Sequence, residues 1–294
     1  MEELFNKCNI CPRECNVNRN KGEIGYCGAS NKIKIGGYHL HMWEEPIITG
    51  KNGSGTIFFS YCNLRCIYCQ NYDISINNNG EEISIERFSD ICLLLQEMGA
   101  ENINLVTPSH YIPLIREGLI MAKRKGLIIP IVYNTSGYDK VNSLKLLDGL
   151  IDIYLPDFKY YDKELNKYSN VNNYFEITSE ALKEMYRQTG KAIFDDRGIM
   201  KKGMIIRHLV LPNHILNSRR VLKWINDNMN DVYVSVMAQY FPTYKAKEIE
   251  DINRKLKKEE YEQIENYLYR LNLENGYIQE LGEHEEEYVP KWEM

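Results

Sequence analysis

The stretch TIFFSYCNLRCIYCQN, Thr56–Asn71, joins an apolar run of strand type directly to three cysteines, Cys62, Cys66 and Cys69. A closed structural zinc site or a fully ligated iron-sulfur cluster takes four protein ligands. Three thiols spaced C-x3-C-x2-C therefore point to a metal centre with one position left for a non-protein ligand. Their place at the end of a strand matters as much as their spacing, because sites in α/β proteins lie at the carboxyl ends of parallel strands.

Downstream of this stretch the chain alternates apolar β runs with amphipathic segments. The runs are 56–61, 102–107, 127–133, 150–155, 204–211 and 232–238. They are near-continuously apolar, as expected of parallel strands covered on both faces. Phe88, Ile91, Leu94, Leu95 and Met98 recur at helical spacing after a cap at Ser84, with Gly99 as the stop. Val221, Leu222, Ile225 and Met229 repeat the pattern after Ser218. Six strands alternating with helices predict an α/β fold, a partial (β/α)6 barrel of parallel strands, with an open doubly wound sheet as the alternative. Residues 46–245 form this barrel. Residues 1–45 are a cysteine-rich module and connector, and residues 246–294 a C-terminal helical extension with an acidic tail.

The 294-residue chain is 44% hydrophobic, enough for a sizeable core. Its best apolar run, GLIIPIVY at 126–133, is far short of the ~20 residues a membrane helix needs. The amino terminus shows no basic segment followed by an apolar one, so a cytoplasmic location is expected. A net charge of −5 and a pI near 5.8 give no basic field for a phosphate backbone, which argues against nucleic acid as the main partner. Seven of the eight cysteines fall into two short clusters, a pattern of metal binding more than of disulfides. Cys92 lies within FSDICLLLQEM and reads as an inert core thiol.

The triad, with aromatic Tyr68 before its last cysteine, resembles the signature of the radical S-adenosylmethionine superfamily. The resemblance implies that Cys62, Cys66 and Cys69 hold a 4Fe-4S cluster whose fourth iron binds S-adenosylmethionine. The residue-based alternative is a zinc site completed by His39, His41 or His110. The segment EEPIITGKNGSGTIFFSYCNLRCIYCQN is similar to activating enzymes of pyruvate formate-lyase, except that Gln70-Asn71 stands where they have His-Asn. The similarity continues through NTSGYD, YLPDFKYYD and IIRHLVLPN, so it covers roughly residues 44–240.

Carried over residue by residue, the resemblance places Thr107 and Ser109 of VTPSHY at the methionyl amine, without the family's usual acidic residue there. It places Asn134 and Ser136 at the ribose or methionyl part; their plain reading is a turn before Gly137. It assigns Asp157 to the ribose hydroxyls and Lys159 to the methionyl carboxylate, and it suggests the same carboxylate for Arg207, whose place in an apolar strand already demands a polar or anionic partner. His208 faces the other way and reads as a packing histidine.

Cys8, Cys11, Cys15 and Cys27 are spaced C-x2-C-x3-C-x11-C in a segment too poor in core to fold without metal. Zinc and a second, closed 4Fe-4S cluster both fit that spacing. His39 and His41 share a face of YHLHMWEEP, read as a packed connector. By resemblance the function is reductive cleavage of S-adenosylmethionine to a 5'-deoxyadenosyl radical that abstracts hydrogen from a glycine of a glycyl radical enzyme. A different peptide, protein or metabolite substrate is the second enzyme reading, and a non-catalytic iron-sulfur or zinc interaction protein is the third. A reductant such as flavodoxin or ferredoxin is the implied partner, with a protein substrate on the first reading.

Overall fold

A computed structural model describes residues 2–271, 273 and 275–282. The strands are β1 (Ile33–His41), β2 (Ser54–Phe59), β3 (Glu81–Ile83), β4 (Ile103–Val106), β5 (Ile131–Thr135), β6 (Ile153–Pro156), β7 (Ile193–Phe194), β8 (Met200–Leu209), β9 (Tyr233–Met237) and β10 (Gly276–Ile278). They lie in the order β10-β9-β8-β6-β5-β4-β2-β1-β3, with β7 paired to β8. From β2 to β10 every neighbour along this path is parallel, and the two ends, β10 and β3, do not pair with each other. All six expected parallel strands are present, and the sheet is the open, partial barrel the sequence indicates.

Alternation along the strands builds two cores. Ile57, Ile103, Leu105, Ile131 and Tyr133 face the helices, in one cluster with Phe88, Ile91, Leu95, Ile115 and Leu119. On the inner face Val132, Ile153, Leu155 and Ile205 pack around Ile48, carried in by the helical turn Pro46–Thr49. The connector thus plugs the floor of the barrel instead of lying over its edge.

Helix Ile85–Glu97 is capped as expected, the Ser84 hydroxyl accepting from the Arg87 amide at 3.1 Å, and Gly99 follows at φ +88°. The later helix differs: it spans Ile215–Asn228, three residues ahead of the expected cap at Ser218. Ser218 is buried inside it, where its hydroxyl meets His208. Helix Lys258–Leu271 buries Tyr261, Ile264 and Leu268 on one face and packs on Ile215–Asn228. Most of the acidic tail lies outside the described residues. Among the described residues no helix is long and apolar enough to cross a membrane.

β1 goes beyond the connector expected from YHLHMWEEP, because it pairs antiparallel with both β2 and β3. Phe5, Cys8, Ile10 and Cys27 belong to the same cluster as the barrel's outer core. The cysteine-rich segment is therefore docked on the barrel.

Candidate active site

The triad loop leaves β2 through two residues with left-handed backbone, Tyr61 at φ +70° and Arg65 at φ +65°. Both are costly for side chains of this size, so the surroundings must hold them there. Asn63, fully buried, donates to the Tyr138 carbonyl at 2.8 Å. The Ile67 amide donates to Tyr168 O at 2.9 Å, and Asn170 Nδ2 to Arg65 O at 2.8 Å. Around the sulfurs, Cys66 Sγ lies 2.9 Å from Ser169 Oγ and Cys69 Sγ 3.2 Å from Ser75 Oγ. The Leu64 amide approaches Cys62 Sγ at 3.4 Å.

Burial pushes the Cys66 thiol up to about 12 and the Cys69 thiol to about 11. Both therefore need a cation to become thiolates, which metal binding provides. Lys159 lies close enough to Cys66 to favour its anionic form. The donor set, three thiols with hydroxyl and amide partners at a strand end, suits an iron-sulfur cluster with one open iron. The histidines do not complete the triad. His39 stacks on Phe58 at 5.2 Å between centroids, His41 stands edge-on to the same ring at 6.0 Å, and His110 lies 2.8 Å from Ser60 O through Nε2. Burial pushes His39 and His41 down.

Below this loop the inward-facing polar residues form one network. Arg207 donates from Nε to Asp157 Oδ1 at 2.9 Å, from Nη1 to Glu44 Oε2 at 3.2 Å and from Nη2 to Asn134 Oδ1 at 2.7 Å. Lys159 Nζ donates to Asp157 Oδ2 at 2.7 Å. Burial alone would raise the Asp157 carboxyl, but Lys159 and Arg207 outweigh it and hold it below the usual carboxylate range. Burial opposes the charge on Arg207, and Asp157, Glu44 and Glu45 restore it. Four of the sequence-predicted residues, Asn134, Asp157, Lys159 and Arg207, thus meet at one place.

The remaining predicted residues are placed differently. Thr107 directly follows β4 with φ +61°, an outlier for a β-branched side chain, and its amide donates to Asn134 O at 2.9 Å. Ser109 is buried, its hydroxyl 3.3 Å from Thr135 Oγ1 beside Asp139. Ser136 is half-buried past β5, and its carbonyl accepts from Tyr174 OH at 2.6 Å. Tyr68 is buried, with its hydroxyl on Tyr160 OH and its ring edge-on to Tyr240. His208 is a satisfied packing histidine, between Phe158 O at 2.7 Å and Ser218 Oγ at 2.9 Å.

Sequence reasoning missed Glu44 and Asn104 as parts of this floor. Glu44 Oε1 accepts from Asn104 Nδ2 at 2.9 Å and from Asn134 Nδ2 at 3.3 Å, besides its pairing with Arg207. Asn104 had a signal, a polar residue at the inward parity of an apolar strand. Glu44 had none, since the connector's path into the barrel is a long-range matter. Its neighbour Glu45 is buried, its carboxyl raised by burial, with Oε2 unpartnered.

Comparison with known proteins agrees with this geometry. A family model described as the radical SAM superfamily matches residues 56–194. A Methanocaldococcus jannaschii protein described as uncharacterized, MJ0674, is 34% identical over 289 residues, covering 93% of this chain and 77% of its own. The fold is similar to that of methylornithine synthase (TM-score 0.52, 19% identity, 74% of this chain and 60% of that one). It is similar as well to Streptococcus suis SuiB, solved with its precursor peptide SuiA (TM-score 0.53, 15% identity, 74% of this chain and 46% of that one). With a three-cysteine loop at the end of the first parallel strand and a polar floor at the strand ends beneath it, the chain belongs to the radical SAM superfamily.

Proposed function

We propose that this enzyme cleaves S-adenosylmethionine reductively and abstracts a hydrogen atom from a C–H bond of a peptide or protein segment. The observation that carries the reading is the convergence of Glu44, Asn134, Asp157, Lys159 and Arg207 beneath the triad loop. Bound at a 4Fe-4S cluster on Cys62, Cys66 and Cys69, S-adenosylmethionine supplies the 5'-deoxyadenosyl radical. The chain's own work is binding and aim. Lys159 and Arg207 offer cationic donors to a carboxylate, Asp157 and Glu44 offer acceptors to hydroxyls or an ammonium, and the buried floor keeps water away.

The ends of the sheet, β3 and β10, do not pair with each other, so the barrel is not closed on that side, where an extended chain would enter. A glycine of a partner enzyme, which would then store a glycyl radical, is the first substrate of this kind. A peptide of another sort, or a small metabolite, is the second; the names of SuiB, solved with a peptide, and of methylornithine synthase favour it. Cys8, Cys11, Cys15 and Cys27 hold a second centre, zinc or iron-sulfur, and a flavodoxin or ferredoxin supplies electrons from the cytoplasm.

The test is anaerobic reconstitution followed by dithionite and S-adenosylmethionine, with 5'-deoxyadenosine as the readout. The wild-type protein forms the nucleoside and Cys66→Ala does not. Equal yields from both would overturn the reading, and S-adenosylmethionine binding absent from a filled cluster would favour the non-catalytic interaction protein.

A further inference from the structure

Behind Cys66 lies a row of buried hydroxyls that the binding floor does not use. Cys66 Sγ is 2.9 Å from Ser169 Oγ, Ser169 Oγ is 2.9 Å from Tyr160 OH, and Tyr160 OH pairs with Tyr68 OH. Ser169 and Tyr160 are fully buried and Tyr68 nearly so. Polar side chains rarely line up in a core without a partner that needs them.

The segment carrying Ser169 is fitted to the triad loop at consecutive residues. Tyr168 O accepts from the Ile67 amide at 2.9 Å, Ser169 meets Cys66, and Asn170 Nδ2 donates to Arg65 O at 2.8 Å. Asn170 takes a left-handed backbone, φ +53°, where the short helix Lys163–Ser169 ends. Tyr160 arrives from the other side, directly after Lys159, so the segment that supplies a floor cation also supplies the second hydroxyl of the row.

Once Cys66 is a thiolate, the protons of the row can point in only one direction. A thiolate has no proton to give, so Ser169 donates its single one to the sulfur. The Ser169 oxygen then accepts from Tyr160 OH, and the Tyr160 oxygen accepts from Tyr68 OH. Every O–H dipole of the row faces Cys66. Aligned hydrogen bonds in a buried place strengthen one another. Donors to the sulfurs of an iron-sulfur cluster favour its more negative, reduced form.

The other sulfurs are supplied more simply. Cys69 Sγ has the Ser75 hydroxyl at 3.2 Å and Cys62 Sγ the Leu64 amide at 3.4 Å. Cys8, Cys11, Cys15 and Cys27 line an enclosed amino-terminal cavity, where Cys15 Sγ meets the Tyr26 amide at 3.2 Å, Cys27 Sγ the Ala29 amide at 3.5 Å and Cys8 Sγ Arg19 Nη1 at 3.9 Å. Of these contacts, the one from Ser169 is the shortest.

We propose that Ser169, backed by Tyr160 and Tyr68, raises the reduction potential of the triad's cluster by donating to Cys66 Sγ, which brings it within reach of a low-potential one-electron donor. The proposal rests on the iron-sulfur reading of the triad. One electron passes from the donor to the cluster; no bond is made or broken, and the protons of the row stay on their oxygens. Ser169 and Tyr160 act through the cysteine and are positioning residues.

The experiment is a redox titration of the full chain, reconstituted anaerobically with iron and sulfide and poised with dithionite and mediators in the absence of S-adenosylmethionine. The readout is the electron paramagnetic resonance of the reduced cluster that Cys62→Ala/Cys66→Ala/Cys69→Ala lacks. At the potential where the wild-type cluster is half reduced, Ser169→Ala should show a ratio of reduced to oxidised cluster about three- to tenfold lower, tenfold being about 59 mV for one electron. Its iron and sulfide contents should equal those of the wild type. Tyr160→Phe keeps the ring and Ser169 but removes the donor to the serine oxygen, and should lower the ratio about twofold. Equal ratios in wild type and Ser169→Ala at equal iron content would overturn the proposal, because a merely structural hydroxyl changes cluster loading and leaves the potential alone. Should Ser169→Ala lose its cluster, Tyr160→Phe decides: a lowered ratio supports the proposal and an unchanged one rejects it. Failure of the iron-sulfur reading looks different, since the wild-type protein would then show no resonance that the triad variant lacks.

Discussion

Arg207 shows how much one side chain can organise. Its guanidinium has three partners from three parts of the chain, Glu44, Asn134 and Asp157, and no lysine could match that fork. Arg207→Ala leaves Glu44 and Asp157 facing each other in a poorly hydrated place. The expected loss is roughly 3 kcal/mol of stability, read from the denaturant midpoint, with weaker S-adenosylmethionine binding and unchanged iron content. Arg207→Lys should recover part of the stability and little of the binding. Thr107 is the opposite case, a residue the fold holds against its preference. A left-handed backbone costs a non-glycine residue about 1–2 kcal/mol, whereas glycine gives up about 0.5–1 kcal/mol of unfolded-state entropy. Thr107→Gly should therefore stabilise the protein by about 0.5–1 kcal/mol, and a thermal melt shifted downwards would show that its side chain contributes more than its strain removes.

Elements were legible where local pattern and packing agree. The apolar runs became parallel strands because both faces are covered, and Ser84 capped its helix because its hydroxyl has a nearby free amide to accept from. The helix after β8 started early because Ser218 had another partner, His208, a contact invisible to helical periodicity. The turn after β5 has a stricter requirement. Gly137 sits at φ +78°, and a Cβ there would collide with the Asp157 carbonyl. Gly137→Ala must move the segment just after β6, which carries Asp157 and Lys159. The expected cost is roughly 2–3 kcal/mol from strain and overpacking, measured by urea unfolding, together with weaker S-adenosylmethionine binding. Unchanged binding in that variant would separate the turn from the site.

Across the whole molecule, acid stability should be set first by two buried histidines, His110, pushed down to about 3, and His208. Burial pushes His208 down to about 4, with the Phe158 carbonyl partly opposing it. The unfolded chain takes up this proton near its ordinary value of about 6.5, so between roughly pH 6.5 and 4 the unfolded state binds more protons. Stability therefore falls as pH drops through that window, by up to about 3 kcal/mol from this group. Asp157, held below the ordinary carboxylate range, withdraws its contribution at lower pH still. Urea midpoints at pH 7 and 5 test this, and His208→Gln should reduce the difference by about half, His110 keeping the rest; an identical slope in the variant would locate the proton elsewhere.

The sequence by itself determined the triad, the six parallel strands and the inward cation at Arg207, because ligand spacing, two-residue alternation and a charge in an apolar run are local signals. The tertiary structure alone decided what those residues face. Glu44 reaches Arg207 across 163 positions of chain, and Tyr26 reaches Leu64 across 38. Such pairs leave no periodicity to read. They exist because a connector that carries Ile48 into the barrel must bring its acids with it, and because an amino-terminal segment without a large core of its own can bury its apolar residues only against the barrel.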